Sequence, residues 1–317
     1  MNSAVMFVAL LTPRADPIDT KAAARTFLFT YDAKVTGLPA GAKARIWLPI
    51  PPDTADQDVK IEEEKLPAKA KTGQEATYGN RFSYMEATAD ADGAIPLRIV
   101  YRVTRRERGA AKEMLVVSRD RLLQADANVP VGGKCLTLIQ DKKVPEEPME
   151  AARLFYDTVF GHMKYDKTGT GWGRGDAEWA CESGKGNCTD FHSLFTALTR
   201  AHKIPTIFEI GFGLPEKHGT GDVAGYHCWA MFHNEDKGWV PVDISEASKA
   251  PEKREYYFGH LTPDRVMFTR GRDLELVPKQ TGKPLNFFVY PYVEVDDKPI
   301  PQEKIVKKFT YQDVTAK

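Results

Sequence analysis

From Arg25 onward apolar and polar residues alternate: in TFLFTYDAKV, Phe27, Phe29, Tyr31, Ala33 and Val35 share one face and mostly polar residues the other. Successive strand side chains point to opposite faces, so this spacing predicts a half-buried β-strand. ARIWLPI, which runs into Pro49, Pro51 and Pro52, predicts a second strand. LRIVYRVTRR, which alternates Leu97, Ile99, Tyr101 and Val103 with arginine and threonine, predicts a third. The charged stretch KIEEEKLPAKAKTGQE between them is expected to be a solvated loop or edge, and RVTRRER at 102–108 a solvated strand edge. This part of the chain reads as a small antiparallel β-sandwich.

Near residue 145 the period changes. VPEEPMEAARLFYDTVFGHMKYD has a proline and acidic residues at its start and apolar residues at 152, 155, 159 and 163, which predicts an amphipathic helix. After the glycine-rich KTGTGWGRGDAEW comes KGNCTDFHSLFTALTR, where Phe191, Leu194, Phe195 and Leu198 recur at helical spacing. Pro205 stops that helix. TIFEIGF, YHCWAMF and GWVPVDIS then read as strands, the last two joined as a hairpin through NEDKG. LNFFVYPYVEV and KIVKKFTYQDV are further strands. RVMFTRGRDLEL at 265–276 is expected to return the chain from the core toward the sandwich, with Arg270 and Arg272 in structural roles. The resulting division is 1–22 as a flexible N-terminus or signal remnant, 23–140 as the sandwich, 141–262 as a mixed core, and 263–317 as a C-terminal β extension packing back on either.

The 317 residues suffice for two domains, and 42% apolar with 28% charged residues is a globular composition. Lysine plus arginine and aspartate plus glutamate number 44 each, which removes the broad attraction that nucleic acid or anionic membranes exploit. AVMFVALL at 4–11 is far shorter than the ~20 residues of a membrane span. As a signal remnant it would imply a periplasmic or secreted protein, and otherwise a cytoplasmic one, but no positive charge precedes it. Four cysteines, at 135, 181, 188 and 228, are too few to build a disulfide scaffold of this length.

Cys188 stands at the first turn of its helix, where unpaired N–H groups and the helix dipole favour a thiolate. Alone, it could equally be a small buried hydrophobe. The hairpin adds the second signal. Pairing its arms about residue 235 sets His227 across from Asp243, so an imidazole and a carboxylate become cross-strand neighbours. A cysteine, a histidine and an aspartate are what thiol acyl transfer requires.

GNC at a helix start, YHCWAMF, and GWVPVDIS, in that order, resemble the transglutaminase-like (papain-like) cysteine enzymes over roughly 146–260. The resemblance implies an α+β core in which a helix carrying the nucleophile packs on an antiparallel sheet, with a β-sandwich ahead of it as in bacterial members. It implies Cys188 as nucleophile, His227 as general base and acid, and Asp243 as the orienting carboxylate. It also implies an oxyanion donor from an upstream side chain, for which Trp172 and Trp179 are the candidates beside the Cys188 N–H. The expected substrate is a peptide, protein or other amide, with hydrolysis favoured over cross-linking and no cofactor.

Two other readings stay open. One is a catalytically silent binding or scaffolding protein on the same fold, though no member of the triad is missing. The other is a zinc-binding module using Cys181, Cys188, His192, His227 and Cys228, against which no Cys-x2-Cys spacing occurs. On a strand Cys228 faces away from His227 and is expected in the core, and Cys181 is expected to be an inert loop or turn thiol. His192 shares a helix face with Cys188, where it could tune the thiolate or simply contact a neighbouring loop. GLPEKHGTGDVAG, with His218 and Asp222, is a candidate lid or substrate wall.

Overall fold

The computed structural model describes residues 23–113 and 115–314. The segment read as a signal remnant at 1–22 lies outside them.

The strand Ala24–Val35 buries Phe27, Phe29, Tyr31, Ala33 and Val35, as its alternation requires. It is central in an antiparallel sheet with strand order Thr220–Val223, Ile305–Asp313, Ala24–Val35, Ile95–Arg106, Gln57–Lys65. A second antiparallel sheet, in the order Lys298–Pro299, Tyr292–Val295, Lys43–Ile50, Arg81–Thr88, Lys71–Gln74, covers it. The charged KIEEEKLPAKAKTGQE stretch supplies an edge strand to each sheet, and its charges keep those edges from pairing further. Strands from 292 onward run within the two sandwich sheets, beside the N-terminal strands.

The core is a four-stranded antiparallel sheet ordered Gly238–Val242, Tyr226–Asn234, Thr206–Gly213, Arg265–Arg270. Four helices accompany it: α1 (Pro148–His162), α2 (Ala177–Ser183), α3 (Cys188–Ala201) and α4 (Ile244–Lys249). α1 begins with proline in its first turn, and Glu147 caps it by accepting the Glu150 N–H at 2.8 Å. α3 carries the predicted stripe of Phe191, Leu194, Phe195 and Leu198, yet it is buried almost all round. Its polar side tolerates burial because the hydroxyls of Ser193, Thr196 and Thr199 donate to carbonyls four residues back, at 2.7, 2.6 and 3.0 Å.

Sandwich and core share one apolar interior. Phe212 and Phe268 of the core sheet pack among Phe29, Tyr31, Tyr101 and Phe309, with the Phe29 and Phe212 rings 5.0 Å apart. The segment after Gly213 adds Thr220–Val223 to the sandwich edge. Arg25 ties that junction by donating to both oxygens of Asp313, at 2.7 and 2.9 Å, and to Asp264 and the Pro215 carbonyl at 2.7 Å each.

One reading of the sequence is corrected here. RVTRRER is not a solvated edge throughout: Arg105 and Arg108 are buried, and both pair with Asp56, Arg105 at 2.5 Å and Arg108 at 3.2 Å. Within the strand Arg102 and Arg106 do face outward, so the period of two holds as far as Arg106, and Arg108 turns inward beyond the strand's end. The inward arginines fall where the sandwich abuts the core, and Asp56, Glu113 and Glu209 supply the compensating charge. Arg270 and Arg272 are structural, Arg270 donating to Glu209 at 2.6 Å and Arg272 to Ser193 at 2.7 Å. Among the described residues no helix is long and apolar enough to cross a membrane.

Candidate active site

The N-terminus of α3 is locked before any chemistry is considered. The Asn187 side-chain oxygen accepts the Thr189 N–H at 2.9 Å, capping the helix. Asp190 reaches back and its carboxylate accepts the N–H groups of Asn187, Gly173 and Gly175 at 2.9, 2.7 and 3.0 Å. This clamp fastens the glycine-rich loop over the helix start. Positive φ at Gly173 and Gly175, +80° and +62°, lets the backbone turn its amides toward one carboxylate. Cys188 follows Asn187 as the first helical residue, where its own N–H has no acceptor within the helix.

His227 and Asp243 meet, although not as directly paired strand residues. The hairpin pairs Ala230 with Val242 and Met231 with Pro241, so its centre lies one residue beyond the expected one. The strand ends at Val242, and Asp243 is the N-cap of α4. From there Asp243 Oδ2 accepts the His227 Nε2–H at 2.7 Å and Arg265 Nη1 at 3.0 Å. Its Oδ1 accepts the Glu246 N–H at 3.0 Å and the Ser245 hydroxyl at 3.1 Å. A fully buried carboxylate is thus met by four donors.

The charges follow from these contacts. Burial alone would raise the Asp243 carboxyl, but the charge and hydrogen bond of His227, with Arg265, hold it well below the usual range. Burial would lower His227, yet Asp243 and then Cys188 outweigh it and push the imidazole up to about 10. Burial alone would raise the Cys188 thiol, but the neighbouring Cys228 thiol and the His227 imidazolium overcome that effect and hold it well below its ordinary value. With Nε2 committed to Asp243, Nδ1 of His227 is left to face the thiol. Both shifts favour a thiolate beside an imidazolium. It sits in a cleft of about 630 Å³ lined by Cys188, His227, Asn187, Tyr226, Trp172 and Lys249, among others.

A profile of the transglutaminase-like superfamily matches residues 137–244, the span that holds α1, α3 and the hairpin. An uncharacterized protein from Haemophilus influenzae is 30% identical over 339 residues, covering 92% of this chain and 90% of the relative. The chain belongs to the transglutaminase-like superfamily. A crystal structure of a proposed cysteine protease from Cytophaga hutchinsonii shares the fold at a TM-score of 0.55 and 14% identity, over 92% of this chain and 99% of that one.

Several residues around this transglutaminase-like site differ from their sequence expectations. His192 is fully buried rather than set against a loop. The Ile244 N–H donates to its Nε2 at 3.1 Å, so its proton is on Nδ1, which donates to the Cys188 carbonyl at 2.8 Å. Burial keeps this imidazole neutral by lowering its pKa, so it ties α3 to α4. Cys228 is buried as expected, with its thiol 3.8 Å from His192 Nδ1, and burial together with the neighbouring Cys188 raises it well above the ordinary value. Cys181 lies in α2, buried, with its thiol 3.6 Å from the Lys134 carbonyl. The Trp172 ring lines the cleft, but its indole N–H donates to the Gly169 carbonyl at 3.2 Å. Trp179 packs its indole edge on Gly171, away from the cleft lining. His218 is exposed and outside the cleft, whereas Asp222 lines it. Among the described residues no group of three or more His, Cys, Asp or Glu could hold a metal ion.

Sequence reasoning missed Asp190, Arg265 and Tyr226. For Asp190 a signal existed, since NCTD is an N-cap residue followed by an acid three positions on. Arg265 comes from a strand 22 residues after Asp243, and no local pattern connects them.

Proposed function

We propose that this protein is a cysteine-dependent amide hydrolase acting on peptides or related amides through a thioester at Cys188. One observation carries the reading: the His227–Asp243 hydrogen bond of 2.7 Å ends at a buried carboxylate and lies behind a cleft that Cys188 and His227 line together. The thiolate attacks the carbonyl carbon, a C–S bond forms and the carbonyl π pair moves to oxygen. Collapse of that intermediate breaks the C–N bond, and the amine leaves with the proton held by His227. Neutral His227 then takes a proton from water, which attacks the thioester and frees the thiol. Asp243 holds the ring and balances its charge in both steps. Water is the favoured acceptor because the cleft is open to solvent, and the fold shared end to end with a proposed cysteine protease supports amide cleavage.

Cys188→Ala is expected to lower amide cleavage by ~10⁴-fold or more while leaving thermal unfolding intact. Amide cleavage by Cys188→Ala at the wild-type rate would sink the proposal. The pH profile of iodoacetamide alkylation provides an independent check. Cys188 should react well below the ~8.5 of a free thiol, and a profile centred there would refute the ion pair.

A further inference from the structure

We infer that the Asn187 side-chain amide is the second oxyanion donor, acting beside the Cys188 N–H; this rests on the acyl-transfer reading above. Asn187 is 3% exposed and lines the cleft next to Cys188. Its oxygen is identified by the Thr189 N–H it accepts at 2.9 Å, because a backbone N–H can only donate. The amide nitrogen therefore faces Tyr226, donating to its hydroxyl at 2.8 Å. The Thr189 hydroxyl donates to the same Asn187 oxygen at 2.7 Å, so its proton is spent. The remaining Tyr226–Thr189 contact, at 3.1 Å, must then run from the tyrosine to the threonine.

These bonds close a ring from Asn187 to Tyr226 to Thr189 and back to Asn187. The ring consumes the hydroxyl protons of Tyr226 and Thr189 and one of the two amide protons of Asn187. One donor proton is left over, the second N–H of Asn187, on a side chain that the ring holds in one orientation. Two neighbouring donors are already engaged: the Trp172 N–H is bonded to Gly169, and the Tyr226 proton is committed to Thr189. A glycine faces the amide, since a Cβ at Gly173 would come to 3.2 Å from the Asn187 nitrogen.

When the Cys188 sulfur adds to the carbonyl carbon, the electron pair that moves to oxygen is received by two N–H donors from consecutive residues. Both are fixed before substrate arrives, Asn187 by its ring and the Cys188 N–H by the helix cap. Preorganised donors of this kind stabilise the developing charge without reorganising.

The test separates the amide from the cap. Asn187→Ser keeps an oxygen that can cap α3 but has no amide proton. Acylation of Cys188 is followed with p-nitrophenyl acetate, and thiolate formation with iodoacetamide, whose reaction develops no oxyanion. For Asn187→Ser the acylation rate should fall by ~10²–10³-fold at unchanged KM, with alkylation and thermal unfolding as in the wild type. Asn187→Asp, which keeps the capping oxygen and also lacks the amide, should lose acylation as well, so a folding failure in one variant leaves the other to decide. Tyr226→Phe, which frees the amide to rotate, should cause a smaller loss in the same rate. Wild-type acylation rates in the Ser and Asp variants would overturn the inference. So would parallel losses of acylation and alkylation, because Asn187 would then only shape the helix start. A wild-type protein that is alkylated at Cys188 but never acylated would remove the acyl-transfer reading itself, and this inference with it.

Discussion

Two buried carboxylates in this molecule, Asp243 and Asp56, are both surrounded by positive charge, and their difference lies in what the partners can do. Asp56 sits at the seam of sandwich and core, where Arg105 and Arg108 offset a large burial effect and lower it to about 2. Asp243 is met by Arg265 as well, but its closest partner is an imidazole, and that imidazole lines one cleft with the Cys188 thiol. Guanidinium groups keep their protons at any ordinary pH, so the Asp56 cluster can only hold its elements together. The Asp243 cluster contains groups that can exchange a proton, and it opens on the cleft. A strongly perturbed carboxylate is therefore weak ground for a functional assignment until the titrating partner beside it is named.

Breaking the two clusters should produce different phenotypes. Asp243→Asn preserves shape and helix cap but removes the charge that holds His227 protonated, so acyl transfer should fall by ~10³–10⁴-fold in steady-state assays. Asp56→Asn leaves two buried arginines short of a counter-charge. Urea unfolding should register a loss of ~3–5 kcal/mol, while the folded fraction keeps the wild-type kcat. Equal effects of both variants on kcat would erase the distinction.

Titration sharpens the comparison further. His227 is raised in the folded protein to about 10, above an ordinary imidazole near ~6.5. Its stabilising contribution is complete below the lower value and is lost as pH rises toward the upper one. Asp56 is depressed to about 2, so its contribution is present above ~3.9 and is lost only as pH falls toward 2. Because Cys188 is depressed beside His227, the folded and unfolded chains bind equal numbers of protons from this pair between about pH 6.5 and 8.5, so urea midpoints should decline only from about pH 8.5 toward 10 in the wild type and stay flatter in Asp243→Asn. The smallest effects concern the seam's periphery. Asp313→Ala, which releases Arg25 and so loosens the cleft-lining Pro215 and Asp264 that Arg25 holds, should raise KM with kcat nearly unchanged. Arg102→Ala, on the outward face of the strand whose inward Arg105 binds Asp56, should change stability by no more than ~0.5 kcal/mol.

Much of the architecture was legible in the order of residues. Alternation from Phe27 to Val35 marks a strand, because a period of two is a property of the backbone itself. The stripe from Phe191 to Leu198 marks α3 by the same logic, and the cysteine at its start, with the histidine and aspartate of a following hairpin, marks the candidate chemistry. The partners were not legible. Periodicity says which side of an element a residue occupies but not what covers that side, so Arg105 read as solvated, and His192 could be read as tuning the thiolate or contacting a neighbouring loop. Asp243 reaches His227 only because the strand ends one residue before it and a helix begins, a matter of hairpin register and capping. Arg265, the Asp190 clamp on the glycine loop, and the ring of Asn187, Tyr226 and Thr189 join segments that only the folded chain brings together. The residue types and their elements were written in the sequence. Which nitrogen faces which oxygen was decided by tertiary packing, since hydrogen bonds act over about 3 Å and no local pattern carries that distance.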